Sequence, residues 1–252
     1  MRIPKFALLL AIAELITPIL CLGQSQAIEN KTGSARVGTP VNDSVVSVQE
    51  LKMSGKAESA FEKGTKLLQK GDARGSVAYF HRALAKDPGY YRAYHNLGLA
   101  QYRLGEIAQA EEALQRAIDL TNGGFAPSQF ALGMILVEKQ QFREAETVIQ
   151  RGLAMEPGSA VGKYFLGLVQ FGLNQLPDAE RSAHDALFRN ADQADAHILL
   201  AMIHERDNNP YAVEADIEAY LKLEGHGPLE NEANVLLQRA QKEISQKAYA
   251  NR

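Results

Sequence analysis

Glycines recur at Gly64, Gly98, Gly133 and Gly167, with Ala201 next, at intervals of 34, 35, 34 and 34 residues. Three further ladders keep the same intervals. They are Ser76, Ala110, Ala145, Ala179 and Val213; Ala83, Ala117, Gly152, Ala186 and Tyr220; and Pro88, Asn122, Pro157, Ala191 and Gly225. Each ladder takes its one extra residue in the same step, and Gly123-Gly124 supplies a turn there. A period of this length accommodates two short helices and their turns, and a unit that small cannot bury its own apolar face. The chain must therefore fold as a stack in which each unit covers the next.

The ladders suggest how a unit is built. A glycine on the first helix and a small residue on the second let the two backbones approach closely. The third ladder lies one or two turns further on and admits the first helix of the next unit. Pro88 and Pro157 fall where a helix must stop. Between these points apolar residues recur at three and four, as in Leu114, Ala117 and Ile118.

These residues resemble the tetratricopeptide repeat family. The second unit has Tyr94, Leu97-Gly98, Ala110, Leu114 and Ala117, with Asn122 where the family has proline. The first has Gly64, Leu67, Ser76, Phe80, Ala83 and Pro88. The third has Leu132-Gly133, Leu136, Ala145, Ile149, Gly152 and Pro157. The fourth has Leu166-Gly167, Ala179 and Ala186, with Ala183 in place of the late aromatic. The fifth departs furthest, with Ala201, Val213 and Tyr220 at the key positions. The resemblance implies an all-α solenoid of about five helix–turn–helix units. They are assigned to 57–90, 91–124, 126–159, 160–193 and 194–227, within an array spanning 55–225. It also implies a scaffold with protein or peptide partners rather than an enzyme.

The ends carry other signals. Arg2 and Lys5 precede a mostly apolar run from Phe6 to Leu22, and Gly23 to Ala27 is small and polar. Residues 1–27 read as a signal peptide cleaved after Ala27, giving an exported, periplasmic or secreted chain. The alternative is an uncleaved membrane anchor through 6–22. Leu20 before Cys21 argues against lipidation there. Residues 28–54 show no sustained period and read as a flexible linker. Beyond Pro228, Leu229, Ala233, Leu236, Leu237, Ala240 and Ile244 form one apolar stripe. Residues 228–252 therefore read as a helix capping the array, with a partner-binding amphipathic helix as the alternative.

Composition excludes several activities. The net charge is −3 and no basic block could follow a row of phosphates, so nucleic acid is not an expected partner. No nucleophile elbow, phosphate loop or His-Glu-x-x-His motif occurs. His197 and His204 share a helix face that His184 could approach, but they occupy positions that normally pack inside a helix pair. No catalytic residue, metal, cofactor or small-molecule substrate is expected. A membrane role is expected only if the N-terminal segment stays attached.

In the resembled fold the first helices line a concave side. The positions facing it here include Arg92, His95, Leu99, Tyr102 and Arg103 in the second unit. Phe130 and Met134 follow in the third, and Tyr164, Leu168 and Phe171 in the fourth. These ten are the candidate peptide-binding residues. Arg92 and Arg103 lie toward one end, and Asp195 and Glu205 toward the other. A ligand with apolar anchors and an acidic end near Arg92 and Arg103 would match that field. The competing reading is that these residues touch neighbouring helices. The family's clamp for a terminal carboxylate matches only at Asn96, because Phe61, Thr65, Pro127 and Ala131 stand at the related positions. Carboxylate-tail recognition is not expected.

Overall fold

A computed structural model of the protein describes residues 48–224 and 229–250, with side chains from Gly55 onward. The expected signal peptide or anchor at 1–27, most of the expected linker and residues 225–228 lie outside the described residues. The elements are helices α1 (Val48–Gln69), α2 (Ala73–Leu84), α3 (Tyr91–Arg103), α4 (Ile107–Leu120), α5 (Ala126–Glu138) and α6 (Phe142–Met155). They continue as α7 (Ala160–Gly172), α8 (Leu176–Arg189), α9 (Ala194–Arg206), α10 (Pro210–Leu223) and α11 (Glu230–Ala250). This is the all-α repeat solenoid that the ladders imply. One boundary differs: α1 begins at Val48, inside the stretch read as linker. That stretch contains no proline or glycine between Val41 and Ser54 to stop a helix from growing backwards off the first unit.

The described residues divide into two compact units, and the boundary falls within α5 between Ala131 and Leu132. In the first unit α1, α2, α3 and α4 pack as successive antiparallel pairs. In the second, α6 to α10 continue the same pairing and α11 packs on α10.

The first-helix glycines work as expected, with one refinement. A Cβ on Gly98 would lie 3.1 Å from the carbonyl oxygen of Ala110, and one on Gly167 would lie 3.3 Å from that of Ala179. The small residue thus brings backbone to backbone. The space above the glycine is filled by the side chain four residues on. Phe80 covers Gly64, Leu114 covers Gly98 and Ile149 covers Gly133. The fourth unit has Ala183 at that position, and Leu199 of the following unit reaches in to cover Gly167 instead.

A further ladder runs through the turns inside each unit. Gly71, Gly105, Gln140, Asn174 and Asn208 all have positive φ, between 54° and 85°. Each closes its first helix with the backbone bond that a left-handed residue permits. Asp72 N–H donates to Leu67 O, Glu106 to Gln101, Gln141 to Leu136, Gln175 to Gln170 and Asn209 to His204. Glycine and asparagine tolerate this conformation, whereas a glutamine at φ 61° bears the side-chain cost of roughly 1–2 kcal/mol. Gln140 is exposed, so its side chain contributes little packing in return. Replacing Gln140 with glycine is expected to stabilise the chain by about 0.5–1 kcal/mol, after the larger unfolded-state entropy of glycine is subtracted. Urea unfolding of the variant checks it, and a lower midpoint would show that the turn is not strained.

Arginines tie successive first helices together. Arg103, at the end of α3, donates from Nη1 to Leu68 O near the end of α1, at 2.7 Å. Arg206 ends α9 in the same way, with Nη1 3.3 Å from Phe171 O and 3.1 Å from Asn174 Oδ1. Its guanidinium carbon also lies 3.8 Å from the centre of the Phe171 ring. The last carbonyls of a helix carry partial negative charge, so a cation placed there is favourable. Substituting Arg206 with methionine is expected to cost about 1.5–3 kcal/mol, since it removes charged hydrogen bonds while keeping much of the aliphatic packing. A loss under 0.5 kcal/mol in urea unfolding would mean that the contact is solvated in place.

The last helix caps the array. Leu229, Ala233, Leu236 and Ala240 are buried, whereas Leu237 and Ile244 are only half-buried. Arg239 pairs with Glu205 at 2.6 Å, and Gln241 Nε2 donates to Glu214 Oε1 at 3.0 Å.

Candidate functional site

A first helix uses one face to meet its own second helix, and the opposite face is left for whatever lies beyond the pair. In the compact unit that ends at Ala131 this opposite face carries Arg92, His95, Leu99, Tyr102 and Arg103 on α3 and Phe130 on α5. Arg92, Tyr102 and Arg103 are half-buried, and His95, Leu99 and Phe130 are buried. In the compact unit that begins at Leu132, Met134, Tyr164, Leu168 and Phe171 are buried. All ten had been expected on an open face, and for these seven that exposure is corrected. Helical periodicity gives the direction of a side chain but not how deep the next repeat leaves it. His95 shows the cause, with its Nδ1 3.0 Å from Ser128 Oγ of the following repeat and its ring edge-on at 5.3 Å to Phe125, the residue that leads into it. Phe171 shows it again beneath Arg206.

The arginines read as ligand contacts have structural partners as well. Arg92 lies over the Phe61 ring at 5.6 Å, and Arg103 caps α1. Asn96 donates to Thr65 Oγ1 at 3.0 Å, a bond between repeats. At the other end Glu205 is held by Arg239.

The polar atoms left over are informative. A buried polar group without a partner is rare and costly, so each one needs an explanation. Among the described residues, His95 Nε2, Tyr164 Oη and Asp195 Oδ2 are buried with no hydrogen-bond partner. All three stand on first helices. Burial, helped by the Arg92 charge, pulls the His95 imidazole down to about 3, so the ring is neutral at pH 7. Burial and the charge of Glu224 push the Asp195 carboxyl up to about 6. Burial and the Asp195 charge raise the Tyr164 phenol well above its usual range. Asp195 was read only as an acidic end of the groove, and its depth could not be inferred from spacing.

The histidine cluster belongs to the packing between helices. His204 Nδ1 is 2.7 Å from Asp216 Oδ2, and His197 Nδ1 is 3.6 Å from Asp216 Oδ1. His204 Nε2 and His184 Nε2 lie 3.5 and 3.9 Å from Glu180 Oε1. Two carboxylates thus join imidazoles of α8 and α9 to α10. Among the described residues no group of three such side chains is arranged to hold a metal ion.

Tandem helix pairs locked glycine to carbonyl, with a polar and aromatic face on the first helices, define a helical-repeat scaffold. The chain belongs to the tetratricopeptide repeat family, whose model matches residues 61–125, 130–180 and 164–224. It is 24% identical over 213 residues to tetratricopeptide repeat protein 16 of Macaca fascicularis. That match takes in 82% of this chain but only 24% of the relative, so the chain spans about a quarter of that protein's length. Among solved structures it is similar to PilW, a widely conserved type IV pilus biogenesis factor. The TM-score is 0.68 at 17% identity, covering 77% of this chain and 89% of PilW. It is also similar to YrrB, a repeat protein with an unusual peptide-binding site. There the TM-score is 0.56 at 16% identity, with 77% of this chain and 95% of YrrB covered. At such identities the likeness is one of fold. No helix among the described residues is long and apolar enough to cross a membrane.

Proposed function

We propose that this protein is a non-enzymatic scaffold that binds a peptide or a segment of a partner protein on the outward face of its first helices. The observation that carries the reading is that first helices in each compact unit hold buried polar atoms without a partner among the described residues: His95 Nε2 in one, Tyr164 Oη and Asp195 Oδ2 in the other. A packing surface would be expected to bury such groups paired or to exclude them, whereas a recognition surface holds them for a ligand. The ten candidate residues keep this role in the proposal, with Arg103 and Phe171 supporting the face through the repeat contacts described above. YrrB, of the same fold, is a precedent for peptide binding by such repeats.

A second reading has its own observation. The apolar run from Phe6 to Leu22 behind Arg2 and Lys5 reads as an export or anchoring signal, and PilW is a type IV pilus biogenesis factor. On this reading the chain is an envelope assembly component, periplasmic, secreted or tethered by its N-terminus, that docks through its second helices or α11.

Photo-crosslinking separates the two. A benzoylphenylalanine is placed at Tyr102 on a first helix, at Tyr211 on α10 or at Tyr249 on α11. Adducts from Tyr102 alone are the expected result. Adducts only from Tyr211 or Tyr249 would overturn the first-helix reading in favour of assembly. The mass of the mature N-terminus then tests export directly: a chain starting at Ile28 means cleavage, and an intact Met1 means a tether.

A further inference from the structure

Two repeat positions meet across the helix pair, one three residues after the first-helix glycine and the other three residues after the small residue of the second helix. In the fourth repeat they hold Gln170 and Ser182, and Ser182 Oγ donates to Gln170 Oε1 at 2.7 Å. In the fifth they hold His204 and Asp216, with Nδ1 2.7 Å from Oδ2. The first and third carry Leu67 and Leu136 at the first of these positions, so no polar partner is needed. The second repeat sets a polar Gln101 against Ala113, which has nothing to offer it. Gln101 is 8% exposed, and its Oε1 is buried with no hydrogen-bond partner among the described residues. Where Ser182 holds a hydroxyl, Ala113 leaves space. An open pocket of about 470 Å³ lies there, lined from α2, α3 and α4 within one compact unit. Leu97, Gln101 and Ala113 are its buried floor, and the half-buried Tyr94 lines it too. Glu112, Arg116 and Asp119 are exposed at its rim with Gln109 and Gln115, and Gln115 Nε2 donates to Asp119 Oδ1 at 2.8 Å.

A buried acceptor left unpaired is costly, and the floor of this pocket therefore calls for a donor. The last torsion of a glutamine is soft, so the Gln101 amide can turn to meet one. The volume falls within the range of about 300–1,000 Å³ typical of small-molecule sites and exceeds what one side chain fills. The rim carries both signs, so it matches neither an anion nor a cation throughout. Carboxylates accept, a guanidinium donates and glutamine amides do both, which suits hydroxyl groups, since each of these also donates and accepts. Leu97, Ala113 and the Tyr94 ring offer apolar contact to the C–H faces between such groups. We infer that this pocket binds a neutral, polyhydroxylated small molecule of the sugar class, with one hydroxyl donating to Gln101 Oε1 as Ser182 does to Gln170. The site stands whether or not the first-helix face binds a peptide.

The probes are maltose and N-acetylglucosamine as neutral sugars, glucuronate and N-methylglucamine as anionic and cationic polyols, and N-acetylthreonine amide as a single hydroxyl side chain. Each is titrated against the full chain at neutral pH by ligand-observed NMR. At least one neutral sugar is expected to bind in the millimolar range or tighter, ahead of the other three probes. Two variants borrow residues from other repeats and so should fold, which circular dichroism checks. Gln101→Leu removes the acceptor, as Leu67 and Leu136 do, and Ala113→Ser supplies the internal partner, as Ser182 does. Each should weaken sugar binding by at least about tenfold, the loss of one hydrogen bond in a closed contact. Failure of both sugars to bind, or binding that both variants retain, overturns the site. Equal or tighter binding of either charged polyol overturns its neutral character, and equal binding of the threonine amide overturns the small-molecule ligand in favour of a partner's side chain.

Discussion

Asp195→Asn is expected to make this protein more stable at pH 7, by about 2 kcal/mol. The wild-type carboxyl has a folded-state value of about 6 against an ordinary 3.8, with burial as the main cause and Glu224 second. A pKa raised on folding means that the folded chain prefers the protonated form. Its contribution to stability is then fully present below about pH 4, declines as pH rises through 6 and is absent above that. Two pH units correspond to about 3 kcal/mol, and burying an amide in place of the acid returns about 1 of these. Urea unfolding at pH 4 and pH 7 reads the effect. The two proteins should be close at pH 4 and separate at pH 7, with the variant higher. A gap of equal size at both pH values would show that charge is not the cause. A less stable variant at pH 7 would show that the carboxylate has a partner. A site residue that weakens its own fold is common where a protein keeps groups poised for a ligand.

The repeat made most of the fold legible. Four ladders with one shared insertion placed ten helices, because close helix contacts demand small residues at fixed intervals, and apolar spacing alone marked the stripe from Leu229 to Ile244. What spacing could not supply was depth and partner. Arg103 looked like a ligand contact because it faces away from α4, yet its partner is a backbone carbonyl one repeat earlier, which has no sequence signature. Arg206 could have been found with it, since it stands at the equivalent position of the fifth unit. The left-handed turn ladder was missed because only two of its five members are glycine. Asp195 was seen as an acid of the groove, but a buried acid and an exposed one read alike along a chain. The two carboxylates that join the histidines, Asp216 and Glu180, come from helices on either side of α9, so they too were out of reach.

Gly133→Ala and Gly167→Ala change equivalent positions and are expected to differ sharply. A methyl on Gly133 would overlap Ile149 at Cγ1, next to the Ile149 backbone. Ile149 is fully buried, and a β-branched side chain has little freedom to turn aside. Overpacking of this kind costs about 2–3 kcal/mol, while alanine over glycine in a helix returns about 1. The net loss should be about 1–2 kcal/mol. At Gly167 the nearest atom is Leu199 Cδ2, 2.8 Å from the added Cβ, at the far end of a flexible side chain. It can swing away, so the propensity gain nearly cancels the crowding and the net change should stay within about 0.5 kcal/mol. Ile149→Ala alone should cost about 2–5 kcal/mol by leaving a cavity. In the double variant the new methyl partly fills that space, so the two losses should fall short of adding by more than 1 kcal/mol. Strict additivity would mean that Gly133 is needed for the backbone approach to Ala145 rather than for the Ile149 side chain. The small–large exchange across one helix pair would then not be what fixes this repeat.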